Sequence, residues 1–159
     1  MKRSKAIELG QPILAKFVGA TVAGLAPRIM GIGPSIAIPK LMTKLGITID
    51  DVDVVELNEA FASMAVYCKD TLKIPHEKMN IRGGAIALGH PLGATGARQI
   101  VTGISECRRQ KKKILLTSMC IGMSYHANHV FRKLLTLPCR LRAGHGGHIC
   151  INSISSGVR

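Results

Sequence analysis

The sequence predicts an α/β layered domain. Three observations carry that expectation. Short β-branched stretches alternate with stretches of helical period, Gly and Pro fall at the seams between them, and 47% of the 159 residues are apolar, enough to bury a core. A single domain of this size covers roughly two thirds of its unfolded surface, which excludes a chain disordered throughout.

Residues 2–9 read as the end of a helix, closed by Gly10 and barred from continuing by Pro12. Residues 13–22 are β-branched and apolar between Pro12 and Gly24, the signature of a strand. After turn-rich residues 31–34, Ala37, Leu41 and Leu45 recur every four residues and Gly46 follows. Residues 35–45 therefore read as an amphipathic helix with a glycine stop and an early, tolerated Pro39. Residues 51–57 alternate charged and apolar positions and include Val54 and Val55, a strand entering a core, while residues 60–72 are helical in composition. Gly83, Gly84, Gly89, Gly93 and Gly96 crowd residues 80–96, where backbone freedom suits a site built from main chain. Ala97, Ile100, Val101, Ile104 and Cys107 follow the spacing of a buried helix face, and residues 114–119 read as a buried strand. In such a domain, loops at strand ends are the expected place for chemistry.

No apolar run reaches the roughly 18 residues that span a bilayer, and the basic residues 1–5 lead into no signal-peptide core, so a soluble protein is expected. Cys68, Cys107, Cys120, Cys139 and Cys150 are odd in number and irregular in spacing, the pattern of free thiols in a reducing compartment. The net charge of +13 is concentrated late in the chain. Up to Glu106, twelve Lys and Arg against nine acidic residues leave +3; the other ten basic residues follow with no acidic one. The run Arg108, Arg109, Lys111, Lys112 and Lys113 reads as the solvated end of a helix, where cations also favour the macrodipole. A nucleic-acid binder using RRQKKK and the basic tail is the low alternative, since two Tyr, three Phe and no Trp leave little for base stacking.

Three segments carry more. NEAFA, residues 58–62, stands where a strand gives way to a helix; GGAIALGHPLGATGARQ fills residues 83–99; SMCIG, residues 118–122, ends a strand. Singly, each has a plain reading: Asn58 as a helix cap, His90 as a solvated loop residue, Cys120 as a small buried hydrophobe. Together, in this order and spacing, they resemble the C-terminal domain of the thiolases. MKRSKAIELG with IMGIGPSIAIPKL is similar to the peroxisomal type of 3-ketoacyl-CoA thiolase.

The resemblance covers residues 1–122 and implies a mixed β-sheet flanked by helices, incomplete at both ends. It also implies an acyltransferase of fatty acid β-oxidation: 3-ketoacyl-CoA is cleaved by free CoA to acetyl-CoA and a shortened acyl-CoA, with coenzyme A as substrate and no cofactor. A neutral thiol attacks poorly, so an imidazole has to take its proton; the resemblance gives that role to His90. The carbanion left on acetyl-CoA needs a proton from a positioned acid, a role the resemblance gives to Cys120. Both steps build negative charge on oxygen, which fixed donors in a dry site stabilise by ~3 kcal/mol each. Asn58, through a held water, and His90 resemble the first such oxyanion hole, and the N–H of Gly122 resembles half of the second. Cys68 and Cys107 are expected to be buried thiols without a role.

The family's nucleophilic cysteine belongs to an N-terminal domain that nothing before Asn58 resembles. The chain is therefore expected to be inactive alone and to take acyl-CoA and CoA only when complemented by that lobe. The apolar surface on which the lobe would pack predicts a partner: a second copy, or a full-length thiolase that the chain joins as a non-catalytic interaction module. The implied location is peroxisomal, otherwise cytoplasmic, since no targeting segment is evident and the ending GVR is not an SKL-type signal. From Met123 the family pattern is lost, and residues 123–159 are expected to be a foreign basic tail. Gly122, Met123 and Ser124 can be encoded with GTATGT, and Ala127 with Asn128 can contain CTAAT, the donor and branch-point patterns of an intron read through. One frame over, residues 139–153 can encode AGCGQDMVAIFVST, similar to the family's ending. His126, His129, Cys139, His145, His148 and Cys150 match no standard zinc spacing, so no metal is expected. Residues 130–137 are a candidate substitute edge strand.

Overall fold

The computed structural model of the chain describes the backbone of residues 1–124 and 127–136 and side chains as far as Met119. Helix α1 (Arg3–Glu8) is followed by β1 (Lys16–Leu25), a 3-10 segment (Pro27–Ile32), α2 (Gly33–Leu45), β2 (Val54–Leu57) and α3 (Ala62–Thr71). A second 3-10 turn (His76–Lys78), the short α4 (Ala85–Leu88), α5 (Thr95–Arg109), β3 (Ile114–Ser124) and β4 (Ala127–Thr136) complete the order. The four strands form one mixed sheet, ordered β1-β4-β3-β2, in which only β2 and β3 run parallel.

Alternation along the strands makes this sheet the middle of three layers. Val55, Leu57 and Leu116 face Ile38 and Leu41 of α2 and Met64, Ala65 and Cys68 of α3. Their neighbours Val54 and Leu115 face the other way, onto Cys107 of α5. The α/β class expected from the sequence is the one found. Helix α2 stops where expected, at Gly46 in the left-handed conformation (φ 65°). Strand β1 lies later than the 13–22 expected: Gly24 pairs with His129 instead of ending the strand, and the break comes at Pro27. Strand β2 begins only at Val54, because Asp53 turns its carboxylate to cap the amides of Lys113 and Ile114, both at 2.9 Å. The strand after β3 is interior, not the edge strand expected at 130–137: β4 returns antiparallel between β3 and β1. Leu137 and the tail beyond it lie outside the described residues.

The expected inner face of α5 holds in part: Cys107 is buried and Ile100 and Ile104 pack beside it, but Ala97 is exposed, Val101 is 68% exposed, and Thr95, Gln99, Gly103 and Glu106 are buried as well. Two features turn the helix this way. A Cβ on Gly103 would lie 2.4 Å from Leu115 Cδ1, so a glycine there lets the helix sit directly on β3. The buried polar groups are also paired: Gln99 Nε2 donates to Glu56 O (3.0 Å) and Ser118 O (3.2 Å), and Glu106 is held by Arg82, Arg109 and Gln110. Paired polar groups bury at small cost, so apolar periodicity alone misassigns part of the face.

Both outer strands of the sheet carry side chains on their backbone. On β2, Leu57 N donates to Asn80 Oδ1 (2.9 Å), and Asn80 Nδ2 donates to Leu57 O (2.8 Å). Asn80 N also donates to Val55 O (2.8 Å), so a single residue completes the ladder of this strand. On β1, Lys40 and Lys44 of α2 donate through Nζ to Val22 O (3.0 Å) and Ala20 O (3.3 Å).

Candidate active site

The site forms where β2 ends, as the α/β layering predicts. Asn58 continues the parallel ladder by one residue, its N–H donating to Ser118 O at 2.9 Å, and its side chain is buried. It is not a helix cap: α3 starts with Phe61 at the N-cap position and no side-chain cap bond. The Asn58 amide Nδ2 instead lies 3.3 Å from His90 Nε2, which brings together two residues 32 positions apart.

His90 is carried by the glycine-rich segment, and the segment is anchored by Glu59. The Glu59 carboxylate accepts from Asn80 Nδ2 (2.6 Å) and from the amide of Ile86 (3.1 Å), tying the loop to the end of β2. Gly84 is what permits this approach, since a Cβ there would lie 2.1–2.2 Å from the Glu59 carboxylate. Gly89, at φ 88° and ψ 166°, then turns the chain out of α4 into His90 through backbone space that side chains exclude. Gly93 and Gly96 have no comparable requirement: nothing lies near the first, and Met119 Sδ is at ordinary contact from the second. His90 is not a freely solvated loop residue either. Its Nδ1 is 2.6 Å from Thr95 Oγ1, which in turn donates to Pro91 O at 3.1 Å.

Cys120 lies in β3, two residues beyond Ser118 and opposite Val130; its side chain is outside the described residues. Gly122 falls in β3 where the register shifts between Ile121 and Ser124. Cys68 and Cys107 are buried as expected, and burial, with Asp53, Glu106 and Glu56 adding, pushes the Cys107 thiol up to about 12. A thiol so held is no nucleophile near neutral pH. Among the described residues, no group of three His, Cys, Asp or Glu side chains is placed to hold a metal. His126, Cys139, His145, His148 and Cys150 lie outside the described residues, as does the His129 side chain. No described helix is long and apolar enough to cross a membrane.

Sequence reasoning missed five residues. Glu59, Thr95 and Gln99 stand inside the quoted motifs but were given no task there. Asn80 has no local signal, since its role depends on β2 being an outer strand. Glu56 is 1% exposed, with neither carboxylate oxygen hydrogen-bonded and Arg98 Nη1 4.0 Å away. Burial pushes its carboxyl up to about 7; Arg98 opposes the shift, and Glu59 and Glu106 add to it. The available signal was one acid between Val55 and Leu57 in an otherwise apolar strand.

A three-layer domain with an Asn–His pair at the end of a parallel strand and a glycine-built loop beneath it is of the thiolase class. Residues 11–133 match the family described as thiolase, C-terminal domain, and the chain belongs to that family. It is 57% identical over 122 residues to the peroxisomal 3-ketoacyl-CoA thiolase of Yarrowia lipolytica (strain CLIB 122 / E 150), covering 77% of this chain and 30% of that protein. With the peroxisomal 3-ketoacyl-CoA thiolase of Homo sapiens it shares 53% over 131 residues, 82% of this chain and 31% of that one. The crystal structure of human mitochondrial 3-ketoacyl-CoA thiolase superposes with a TM-score of 0.80 at 36% identity, over 86% of this chain and 34% of that one. The dimeric peroxisomal thiolase of Saccharomyces cerevisiae gives a TM-score of 0.76 at 44% identity, over 85% of this chain and 33% of that one. The chain thus spans about a third of the length of the relatives it matches.

Proposed function

We propose that the chain is the C-terminal lobe of a thiolase-type acyltransferase that cleaves 3-ketoacyl-CoA with CoA. The observation that carries the reading is the 3.3 Å approach of Asn58 Nδ2 to His90 Nε2. It places an amide donor and an imidazole side by side, the pair needed to take a proton and to hold a developing oxyanion. In this reading His90 is the base that activates a thiol, Cys120 is the acid that protonates the acetyl-CoA carbanion, and Gly122 N–H supports the second oxyanion. The attacking thiolate in this reading comes from a separate lobe; among the described side chains, the thiols of Cys68 and Cys107 are buried. An open groove of about 540 Å³, lined by Met30, Phe61, Met64 and Tyr67 with Arg28 and Ser63, lies where the 3-10 segment meets α3.

In this reading residues 1–122 carry the site, and β4 (Ala127–Thr136) belongs to the same domain as the strand between β1 and β3. Names of the relatives favour a peroxisomal setting and, for the yeast protein, a dimer. Exposed apolar side chains favour a partner: Ile86, Leu88, Leu92 and Val101 are all more than half exposed. The N-terminal lobe of a thiolase is the partner we assign to them. If a full-length thiolase covers them instead, the chain is a non-catalytic companion, and co-purification of the intact enzyme with the chain separates the two. The test of function is CoA-dependent loss of acetoacetyl-CoA absorbance. We expect no turnover from the chain alone, turnover on adding an N-terminal thiolase lobe, and its loss in His90→Ala. Robust turnover by the isolated chain would overturn the assignment of the nucleophile to another lobe.

A further inference from the structure

We propose that Thr95 is a positioning residue that fixes His90 as the Nδ1–H tautomer, leaving Nε2 as the nitrogen that takes a proton; this rests on the reading of His90 as the base. Thr95 is fully buried on the first turn of α5. Its single hydroxyl proton has two possible destinations, His90 Nδ1 at 2.6 Å and Pro91 O at 3.1 Å. Pro91 lies four residues before Thr95, and a threonine hydroxyl at the start of a helix ordinarily donates to the carbonyl four residues back. With its proton committed to Pro91 O, Thr95 offers Nδ1 only a lone pair, so Nδ1 holds the proton and Nε2 holds the lone pair.

Helix α5 supports this arrangement from below. Pro91 O also accepts the amides of Ala94 (2.7 Å) and Thr95 (2.9 Å), so the hydroxyl that orients the ring belongs to the turn that starts the helix. Thr95 puts a neutral acceptor where hydrolase triads place a carboxylate. It sets orientation and tautomer without adding negative charge beside the imidazole. When a thiol is activated, its S–H bond breaks, a bond from Nε2 to that proton forms, and the electron pair stays on sulfur. The Nδ1–H bond to Thr95 is unchanged throughout, so the ring need not turn between accepting a proton and returning it.

The test reads the tautomer directly. Two-bond ¹H–¹⁵N correlation spectra of the full chain, ¹⁵N-labelled at histidine, are recorded at a pH where the His90 ring is neutral, with its signal assigned by loss in His90→Asn. The parent chain and Thr95→Ser are expected to show Nδ1–H. Thr95→Val, nearly the same shape without the hydroxyl, is expected to shift to the Nε2–H form that imidazoles favour in water; Thr95→Ala replaces it should the valine variant not fold. An Nε2–H ring in the parent, or a hydroxyl-free variant with the parent's tautomer, overturns the proposal. No substrate or second lobe enters this measurement, so absent thiolase turnover would sink the acyltransferase reading while the tautomer result stood on its own.

Discussion

Glu56 offers a quantitative test of how the site is supported. Its carboxyl, ordinarily near 4.5, is pushed up to about 7 by burial at the end of β2. The folded chain therefore keeps a proton that the unfolded chain releases between these two values. Glu56 stability is fully present below about 4.5 and is lost as pH rises through about 7. A tenfold change in proton affinity is worth about 1.4 kcal/mol, so the loss on going from pH 4.5 to beyond pH 7 comes to ~3 kcal/mol. Glu56→Gln is the diagnostic change, because an amide matches the neutral carboxyl of the acid form but cannot ionise. Parent and variant should have similar urea midpoints at pH 5. At pH 8 the variant should be more stable, by most of that ~3 kcal/mol. Helix ellipticity is the signal to follow, since the sequence has no tryptophan. Equal pH slopes for parent and Glu56→Gln would show that the carboxyl is not held neutral, and the account of its burial would fall.

Three further predictions follow the packing and the charges. Gly103→Ala places a methyl 2.4 Å from Leu115 Cδ1 and should cost about 1–3 kcal/mol, read as a lower denaturation midpoint. Asn80→Ala leaves the N–H and C=O of Leu57 without their partners and frees Glu59; a loss of about 2–4 kcal/mol in urea unfolding is expected, against less than about 0.5 kcal/mol for an exposed control such as Lys73→Ala. Glu106 is held down at about 2, first by its hydrogen bond to Arg109 and then by Gln110 and the charges of Arg109 and Arg82. Its stabilisation is thus present above about 4.5 and lost as pH falls toward 2, so Glu106→Gln should flatten the acid limb of a stability-against-pH curve without changing its shape above pH 6.

Local features of the sequence translated well where local physics decides. Gly46 had to be a helix stop because its left-handed conformation suits glycine, and Val54 and Val55 had to face opposite layers because a strand alternates. Asn58 and His90 were legible because each lies in a motif, and the fold joined them through Glu59 and Gly84. The face of α5 was read only in part, Ile100, Ile104 and Cys107 correctly but Ala97 and Val101 not, because Gln99 and Glu106 satisfy their hydrogen bonds inside the protein, which no count of apolar residues registers. Asn80 was invisible for a different reason. It acts as a missing strand, and that task exists only after distant segments have arranged the sheet so that β2 lies outermost.

The lysines on β1 and the asparagine on β2 have a consequence for assembly. A sheet with bare margins invites a neighbouring chain to zip onto it, the common first event in domain exchange and fibril growth. Here the carbonyls of Ala20 and Val22 on one margin, and backbone groups of Val55 and Leu57 on the other, are already engaged. Lateral growth has to displace ammonium groups on one side and a forked amide on the other. Association of this chain along its sheet margins is thereby disfavoured relative to stacking through its helices.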